Sequence, residues 1–383
     1  MRSDLYVSVD LKTTGGIQIE VDSKVEAFYG KSIRDTAASA LRKFKVRHAR
    51  MVIVDRGALP FVVSARIEAA LRSAGAKGAM LPRATAKPKP TAKNRLRRSR
   101  LYLPGNESKF MVNAGIHQPD AVILDLEDSV HPDHKDAARL VVRNALRTID
   151  FMGAERMVRI NQLPLGYKDI DEIAPESPHV ILIPKVETAK PVKDVARRVK
   201  RAQGAAAAKK HPVWLMPIIE SALGVENAYE IATAHATVCA LTIGLEDYTA
   251  DMGVKKTKAG DESQFARNRL VNAARAAGVQ AIDSVYGDVG DTDGLHAWGV
   301  RARAMGFEGM GCIHPRQIRV IHDAFAPTPE EIERAVAIVG AFDEAQRKGL
   351  GVVSLGTRMV DPPVVLRAQR LVALARRAGL LDD

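Results

Sequence analysis

Short apolar runs recur along the chain beyond residue 97, and amphipathic stretches with helical spacing separate them. Eight such runs follow one another: RLYLPG, AVILDLED, MVRIN, HVILIPK, VWLMPIIE, ALTIGLED, QAIDSVYG and GMGCIHP. Near-continuous apolar strands that alternate with helices are typical of a parallel sheet covered on both faces. Eight units predict a (β/α)8 TIM barrel, and no Gly-rich dinucleotide fingerprint follows a strand to favour an open doubly wound sheet.

The first 77 residues follow another pattern and predict a small α+β domain. LYVSV and IQIEV alternate like two paired strands around the turn KTTGG, and ARMVIVD predicts a third strand. The segment VEAFYGKSIRDTAASALRKF predicts a helix with apolar positions at Val25, Phe28, Ile33, Ala37 and Leu41. FVVSARIEAALRSAG is expected to begin as a strand and to continue as a helix that stops near Gly75.

A basic segment, with three prolines within residues 78–96, joins these two parts. No acidic residue occurs from Gly78 to Asn106, where the basic residues include Arg83, Lys87, Lys89, Lys93, Arg95, Arg97, Arg98 and Arg100. Such a composition predicts an extended linker that cannot bury a core. Aromatic residues do not interleave the linker and no nucleic-acid-binding motif flanks it, so we interpret it as a basic approach to a phosphorylated ligand.

The composition excludes several classes of protein. The two cysteines, Cys239 and Cys312, are too few for a disulfide framework or a zinc site, and we expect buried thiols in a reducing cytoplasm. No apolar run approaches the roughly 20 residues that a membrane-spanning helix needs. We therefore expect a cytoplasmic protein with neither a membrane nor a nucleic acid as its partner.

Nearly every predicted barrel strand ends on a polar residue. These residues are Asp125, Glu127, Asp128, Arg159, Asn161, Lys185, Glu220, Glu246, Asp247, Asp283 and His314. Each charge at the end of a buried strand costs desolvation free energy, so folding alone does not explain a nearly complete ring. Catalytic groups of TIM barrels lie at the carboxyl ends of the strands, and the ring therefore predicts an active site there.

Two carboxylates of this ring predict a cation site. Glu220 and Asp247 end consecutive strands, so they are expected to lie side by side and to repel each other unless a cation lies between them. Oxygen ligands without a histidine–cysteine cluster favour Mg²⁺ or Mn²⁺. The structural alternative is that both carboxylates cap helices or pair with Arg159 and Lys185.

A metal beside an arginine suits the cleavage or formation of a carbon–carbon bond next to a carbonyl group. The metal polarises the carbonyl or hydroxyl, and Arg159 holds a carboxylate or developing negative charge. Lys185 also ends a strand and could instead form a Schiff base. The residues alone leave this alternative open.

The motifs of the barrel together resemble a known family. RRSRLYLPGN, DAVILDLEDSV, VRIN, ILIPKVET, IIESALGVENAYEIA, IGLEDY, GVQAIDSVYGD, GFEGMGCIHPRQI and GVVSLGTRMVDPPVV are similar to the citrate lyase beta subunit. The wider group is the metal-dependent HpcH/HpaI aldolase/citrate lyase family, which includes malyl-CoA and citramalyl-CoA lyases. The resemblance implies cleavage of a citryl thioester to oxaloacetate and an acetyl thioester, with a CoA thioester or an acyl carrier as the substrate.

The resemblance also implies roles for single residues. Glu220 and Asp247 match the metal ligands, and Arg159 matches the residue that binds the keto acid and stabilises its oxygen. Asp361 matches an acid–base group that reaches the site of a neighbouring subunit.

Four further residues receive supporting roles from the same resemblance. Glu127 and Asp128 are expected to hold waters or to orient the arginine, with Glu127 also counted among the catalytic residues. Arg98 and Lys185 are expected to contact the CoA-like arm, and Asp128 to help bind the substrate.

The C-terminal segment is expected to lap over a neighbouring subunit. PEEIERAVAIVGAFDEAQRKG predicts a helix, and a strand-and-turn tail and a second helix follow. The prolines after Asp361 are expected to fix a turn and to exclude a helix there. An apolar stripe at Val364, Val365, Leu371 and Leu374 needs a partner surface, so we expect a homo-oligomer, a trimer or a hexamer.

The front domain resembles the citrate lyase gamma subunit, an acyl carrier protein, which implies the alpha subunit as a partner. The motifs are SDLYVSVD, GIQIEVDSKVEAFYG, IRDTAASALRKF and VDRGALPFVVSARIEAALRSA. In that family a serine two residues before the aspartate matched by Asp4 bears a phosphoribosyl-dephospho-CoA group, but this sequence has Arg2 there. Three alternatives stay open: the serine lies upstream of this sequence, Ser3 carries the group, or the domain is unmodified and structural.

The expected organisation is a carrier-like domain at residues 1–77, a linker at 78–96, a lyase barrel at 97–325 and a C-terminal extension at 326–383. The front domain favours citrate lyase, because malyl-CoA and citramalyl-CoA lyases act on free CoA thioesters without a carrier. Two hypotheses of other classes remain. One is an inactive scaffold subunit, and the other is a nucleic-acid-binding protein that acts through the linker.

Overall fold

The computed structural model describes residues 3–85, 89–347, 353–355 and 358–382. Its strands are β1 (Leu5–Leu11), β2 (Ile17–Ser23), β3 (Ala49–Asp55), β4 (Ser99–Pro104), β5 (Ala121–Asp125), β6 (Glu155–Arg159), β7 (Val180–Ile183), β8 (Trp214–Ile219), β9 (Ala240–Ile243), β10 (Gln280–Ile282), β11 (Met310–Cys312), β12 (Val353–Leu355) and β13 (Arg358–Val360).

The α-helices surround these strands or extend beyond them. They are α1 (Glu26–Lys43), α2 (Pro60–Ser73), α3 (Ser108–Met111), α4 (Lys135–Thr148), α5 (Gly166–Ile173), α6 (Ala189–Gln203), α7 (Ala205–Lys210), α8 (Ala222–Glu226), α9 (Ala228–Thr233), α10 (Leu245–Asp251), α11 (Gln264–Ala276), α12 (Thr292–Met305), α13 (Arg316–Phe325), α14 (Pro329–Arg347) and α15 (Pro362–Arg377). In the part of the chain that the structure describes, no helix is both long and apolar enough to cross a membrane.

Strands β4 to β11 form the predicted barrel. They pair in the order β10-β9-β8-β7-β6-β5-β4-β11, and every pair is parallel. An isolated parallel bridge between Asp283 and Met310 joins the two ends of the sheet and closes it. The fold class and all eight predicted strands are confirmed.

The barrel strands are apolar throughout because both of their faces are covered. All residues of β5 and β7 are buried. Side chains that point inward form a central cluster that includes Ile123, Leu182 and Met216. The outward side chains pack against the surrounding helices, as the buried valines of α6 show. The carboxyl ends of the strands, where the polar residues lie, are therefore held by a closed and packed scaffold.

The front domain has a different topology from the predicted hairpin. Strand β3 lies between β1 and β2, and it pairs antiparallel with β1 and parallel with β2. The prediction that β1 and β2 pair around KTTGG is therefore wrong. Helix α1 connects β2 to β3 as a crossover, which allows the parallel pairing and gives the most apolar strand the central position.

Two local predictions for the front domain are also wrong. FVV belongs to helix α2, which begins at Pro60, and proline is well tolerated in the first turn of a helix. Phe28 is 85% exposed although the helical spacing predicted it on the apolar face of α1. The other apolar positions of that face, Ile33, Ala37 and Leu41, are buried as expected.

An ionic network joins the front domain to the barrel. Glu68 on α2 is fully buried and accepts hydrogen bonds of 3.0 and 2.7 Å from Arg143 on α4. Arg72 lies 2.6 Å from the same carboxylate, and both arginines also pair with Glu172 on α5. Buried charges at a domain contact are stable only when they are paired and hydrogen-bonded, as they are here.

The described part of the linker packs against the barrel. The Thr91 hydroxyl donates to Glu155 at 2.9 Å, and the Trp214 indole donates to the Thr91 carbonyl at 2.9 Å. Gln280 donates to the Arg95 carbonyl at 3.0 Å. Since Glu155, Trp214 and Gln280 begin their strands, the segment crosses the amino-terminal end of the barrel. The described part of the segment has no helix or strand, as an extended linker predicts, and it is held by the barrel; Lys87 lies outside the described residues.

The C-terminal extension forms a cluster of its own. Helices α14 and α15 pack together through buried residues that include Ile338, Val365 and Val372. The apolar stripe of α15 therefore has a partner within the same chain. The prolines after Asp361 do not exclude a helix, because they occupy its first two positions, where no backbone donor is required. Both predicted helices are present, and β12 pairs antiparallel with β13.

Candidate active site at the barrel mouth

A cavity of about 430 Å³ opens at the carboxyl ends of the barrel strands. Arg159 at the end of β6, Glu220 after β8 and Asp247 in the first turn of α10 all line it. Asp125 and Asp128 border the same cavity. The structure therefore brings together Arg159 and the two carboxylates that were predicted to hold the cation.

Arg159 is held at the mouth by three carboxylates. It donates two hydrogen bonds to Asp125, of 2.6 and 2.7 Å, and it lies 2.7 Å from Glu127 and 3.3 Å from Asp128. Its guanidinium lies 5.3 Å from the centre of the Tyr102 ring. Burial opposes the charge, yet the bonds and charge of Asp125 raise the pKa of Arg159. The guanidinium is thus a fixed cation whose planar fork is oriented before any substrate binds.

Glu220 and Asp247 both contact Lys185. Glu220 is buried and accepts a hydrogen bond of 2.6 Å from the Lys185 backbone N–H, while the Lys185 ammonium lies 2.9 Å from Asp247. The Lys185 backbone has a φ of 50°, a conformation uncommon for a residue other than glycine. Burial, together with the charges of Asp247 and Glu127, raises the pKa of Glu220 to about 8. A cation next to Glu220 would therefore stabilise the charged form of this carboxylate.

The donor set at this position fits a hard divalent cation. Glu220 and Asp247 supply carboxylate oxygens only, which Mg²⁺ and Mn²⁺ prefer. Among the described residues, no group of three or more His, Cys, Asp or Glu side chains is arranged to hold a metal ion. Two protein ligands leave several coordination positions for water and substrate, as is usual for Mg²⁺.

Lys185 does not have the properties of a Schiff-base lysine in this structure. Its hydrogen bond to Asp247 raises the pKa of its ammonium group. A nucleophilic lysine needs a lowered pKa, which comes from burial or from a neighbouring cation. The side chain is instead 40% exposed and paired with a carboxylate. Its position at the mouth remains compatible with the predicted contact to a substrate arm.

Glu127 and Asp128 lie beside the arginine, as the predicted orienting role requires. Glu127 is buried and accepts a hydrogen bond of 3.1 Å from Gln162. Burial raises its pKa to about 7, although Arg159 acts in the opposite direction. Both carboxylates line a second cavity of about 700 Å³ next to the mouth, and Asp128 borders both cavities. Burial therefore makes the Glu127 carboxyl easier to protonate than a carboxyl in water.

Three of the predicted site residues lie elsewhere in this chain. Arg98 precedes β4, at the opposite end of the strand, where Asp120 accepts its hydrogen bonds of 2.9 and 2.9 Å. The structure therefore places the Arg98 guanidinium at the end of the barrel opposite the mouth, and its contact with the CoA-like arm stays a prediction. Asp361 is exposed and caps α15, and Ser3 offers its carbonyl to the Ser108 hydroxyl at 2.9 Å.

Sequence reasoning did not assign a role to two residues that shape the site. Asp125 was recognised as a polar strand end, but not as the clamp of Arg159. The pairing of β5 with β6 could have indicated this contact, because it places Asp125 directly opposite Arg159. Gly244 leaves room for Glu220, since a Cβ atom added there would lie 2.5 Å from the carboxylate oxygen. A glycine immediately after an apolar strand was its only signal.

Comparison with known proteins identifies the two domains. Residues 98–315 match the family described as HpcH/HpaI aldolase/citrate lyase, and residues 2–74 match the family described as malonate decarboxylase delta subunit (MdcD). The citrate lyase subunit beta of Leuconostoc mesenteroides subsp. cremoris is 40% identical over 76% of this chain and 96% of its own. The mitochondrial citramalyl-CoA lyase of Mus musculus is 34% identical over 73% of this chain and 86% of its own.

A solved structure supports the same relationship. CitE of Mycobacterium tuberculosis, in complex with magnesium, acetoacetate and coenzyme A, aligns with a TM-score of 0.60 and 29% identity. The alignment covers 74% of this chain and 98% of that chain. The resemblance seen in the sequence motifs is supported by these matches. It also agrees with the barrel fold and with the carboxylates and arginine at the barrel mouth. The chain belongs to the HpcH/HpaI aldolase/citrate lyase family, as a lyase with an acyl-carrier-like domain in front of its barrel.

Proposed function

We propose that this protein is a Mg²⁺-dependent carbon–carbon lyase that cleaves a citryl thioester to oxaloacetate and an acetyl thioester. The proposal is carried by one observation, which is that Arg159, Glu220 and Asp247 line the same cavity. The citrate lyase beta subunits among its relatives and the magnesium and coenzyme A bound by CitE support it. Mn²⁺ is the alternative cation.

In this proposal Glu220 and Asp247 hold the cation and Arg159 positions the substrate. A bound Mg²⁺ supplies a Lewis acid that polarises the oxygens of the keto acid. Arg159, already fixed by Asp125, presents its remaining donors to a substrate oxygen or carboxylate. When Asp247 binds the cation, Lys185 would lose part of its contact with Asp247 and could contact the thioester arm.

The reaction needs one proton to be taken up and one to be returned. A base removes the proton of the tertiary hydroxyl, the carbon–carbon bond breaks, and its electron pair forms the enolate of the acetyl thioester. The enolate carbon then receives a proton. We assign the acid–base role to Asp361 of a neighbouring subunit, with Glu127 beside Arg159 as a supporting proton carrier. In its own chain Asp361 is exposed at the start of α15, which is compatible with that assignment.

The assembly and the carrier belong to the same proposal. A homo-oligomer, a trimer or a hexamer, would bring the extension of one subunit over the mouth of the next. The front domain would present an acyl group on a phosphoribosyl-dephospho-CoA arm at Ser3, with a citrate lyase alpha subunit as the partner. Intact-mass measurement of natively purified protein tests the arm, because the covalent group adds a defined mass near the N-terminus.

Metal-dependent product formation tests the proposed reaction. Citryl-CoA is supplied, and oxaloacetate is followed with malate dehydrogenase and NADH. EDTA is expected to abolish turnover and Mg²⁺ to restore it. Full activity in EDTA would reject the metal mechanism and favour Lys185 as a Schiff-base lysine.

A second candidate function is a malyl-CoA or citramalyl-CoA lyase that uses free CoA thioesters. The similarity to the citramalyl-CoA lyase of Mus musculus favours it. In that case the front domain is purely structural. Turnover of citramalyl-CoA to pyruvate, followed with lactate dehydrogenase, at a higher kcat/KM than citryl-CoA would support this function instead.

A further inference from the structure

Arg100 lies inside the barrel and has no carboxylate partner among the residues that the structure describes. It is 1% exposed. Its guanidinium donates to the Met216 sulfur at 3.1 Å, to the Thr242 hydroxyl at 2.9 Å and to the Asp283 carbonyl at 3.4 Å. All three acceptors are uncharged, so the positive charge of Arg100 is not neutralised by the described protein groups.

The carboxylate of Asp283 is already bound by other groups. Arg267 donates to its two oxygens at 3.2 and 2.5 Å, and the Trp298 indole donates to it at 2.9 Å. Both Asp283 and Arg267 are fully buried. The contact of Arg100 with the Asp283 backbone carbonyl therefore adds a hydrogen bond without adding a counter-charge.

A buried guanidinium without a counter-charge is unfavourable for folding. Burial lowers the pKa of Arg100, but an arginine side chain stays protonated in proteins. The surrounding interior contains apolar side chains such as Ile123 and Met216, among which an apolar residue would be accommodated at lower cost. Such a charge inside a native protein is typical of a residue that is retained for binding or catalysis at the expense of stability.

The position of Arg100 indicates what could neutralise it. Arg100 and its partner Thr242 border the same 430 Å³ cavity as Arg159 and Glu220. Arg159 is matched by three carboxylates, and the proposed cation would match Glu220 and Asp247. Arg100 is then the positive group on this cavity that lacks a negative neighbour, and a ligand with an additional carboxylate would supply one.

We propose that Arg100 recognises the second free carboxylate of a dicarboxylate substrate and so sets the preference of the site. The inference rests on the proposed function. A citryl thioester has two free carboxylates and releases oxaloacetate. Malyl and citramalyl thioesters have one, and they release glyoxylate and pyruvate. Arg100 would favour the first substrate, because only its extra carboxylate meets the buried charge.

Arg100→Met tests this assignment, because methionine removes the charge and suits the apolar interior. The kcat/KM values for citryl-CoA and citramalyl-CoA are compared in the wild type and the variant. We expect the ratio to fall at least about tenfold, which corresponds to the loss of one charge-assisted contact. Calorimetry in Mg²⁺ is expected to show a weaker affinity for oxaloacetate with little change for pyruvate.

Two further variants separate recognition from structure. Arg100→Gln removes the charge but can still donate to Thr242, so it keeps the test possible if the methionine variant does not fold. Arg97→Met is the matched control, because Arg97 is equally buried but pairs with Glu155 at the opposite end of the barrel. We expect Arg97→Met to lower the melting temperature without changing the ratio of the two kcat/KM values. We expect Arg100→Met to change that ratio without lowering the melting temperature.

The outcomes distinguish this inference from the proposed function. Suppose that the wild type cleaves citryl-CoA. If the Arg100 variants then lose activity equally towards both substrates, or lose none towards either, Arg100 has no role in selectivity and the inference fails. If the wild type neither cleaves citryl-CoA nor binds oxaloacetate, the proposed function itself fails.

Discussion

Replacement of Arg159 by lysine is the most direct test of the arginine's place in the site. Lysine keeps the positive charge but replaces a planar fork with a single ammonium group. In the structure the fork spans both oxygens of Asp125, which is 2% exposed. Lysine can satisfy one of these oxygens and leaves the other buried without its charged donor.

The expected magnitude follows from these contacts. A hydrogen bond to a charged group contributes about 1.5–3 kcal/mol, and about 1.4 kcal/mol corresponds to a factor of ten. If the fork is needed to hold the substrate in the transition state, kcat/KM for citryl-CoA should fall by at least about tenfold. The thermal midpoint should also fall, because a buried carboxylate oxygen loses its partner.

Arg156→Lys provides a matched control on the same strand. Arg156 is also buried, but it donates to the carbonyls of Leu146 and Ser177, at 2.8 and 2.6 Å, on the outside of the barrel. This variant should lose stability and keep the kcat/KM of each folded molecule. Steady-state kinetics and differential scanning calorimetry on both variants separate the two effects. Wild-type kinetics for Arg159→Lys would refute the idea that this guanidinium contacts the substrate.

Three other predictions follow from the structure. Mixing inactive Asp361→Ala with inactive Asp247→Ala under conditions of verified subunit exchange should restore part of the activity, and a mixture that stays inactive would rule out action across subunits. Gly244→Ala should displace the Glu220 side chain, because the added carbon would lie 2.5 Å from its carboxylate oxygen. Calorimetry should then show weaker Mg²⁺ binding and a loss of stability of about 1–3 kcal/mol. Unchanged Mg²⁺ affinity would mean that Glu220 is not a ligand. Burial lowers the pKa of His179 to about 3, so the stability that its neutral form contributes should be present above about pH 6.5 and lost as the pH falls towards 3, by at most about 1.4 kcal/mol per pH unit. Denaturant unfolding at several pH values should show a shallower acid slope for His179→Asn, and parallel curves would contradict this.

The barrel could be predicted from the sequence because its strands are buried on both faces. Runs such as AVILD and VILI have no polar interruption, and each ends where the chain reaches the open face. The end of each strand is therefore visible as a change from apolar to charged residues. The placement of Arg159, Glu220 and Asp247 at one cavity could be predicted from this rule, while the roles proposed for them come from the family resemblance.

Other features depended on contacts distant in sequence. Strand β3 lies between β1 and β2, so each of its partners is a strand that precedes α1 in the chain, and no local pattern encodes this order. Arg98 and Arg100 belong to one basic run, but Arg98 pairs with Asp120 and Arg100 points into the barrel. Composition alone treats both as solvent-facing charges. Arg98 lies just before β4, which begins at Ser99, whereas Arg100 lies within the strand, and the sequence did not show where the strand begins.

The ionic contact between the front domain and the barrel changes how a carrier domain can work. A carrier on a loose tether delivers its cargo by rotating as a body. Here the buried Glu68–Arg143 pair and the segment around Thr91 hold the domain against the outside of the barrel. Any cargo would have to travel by the length of its own arm while the domain stays still. A chain cut within residues 78–96 would for the same reason leave two pieces that remain associated.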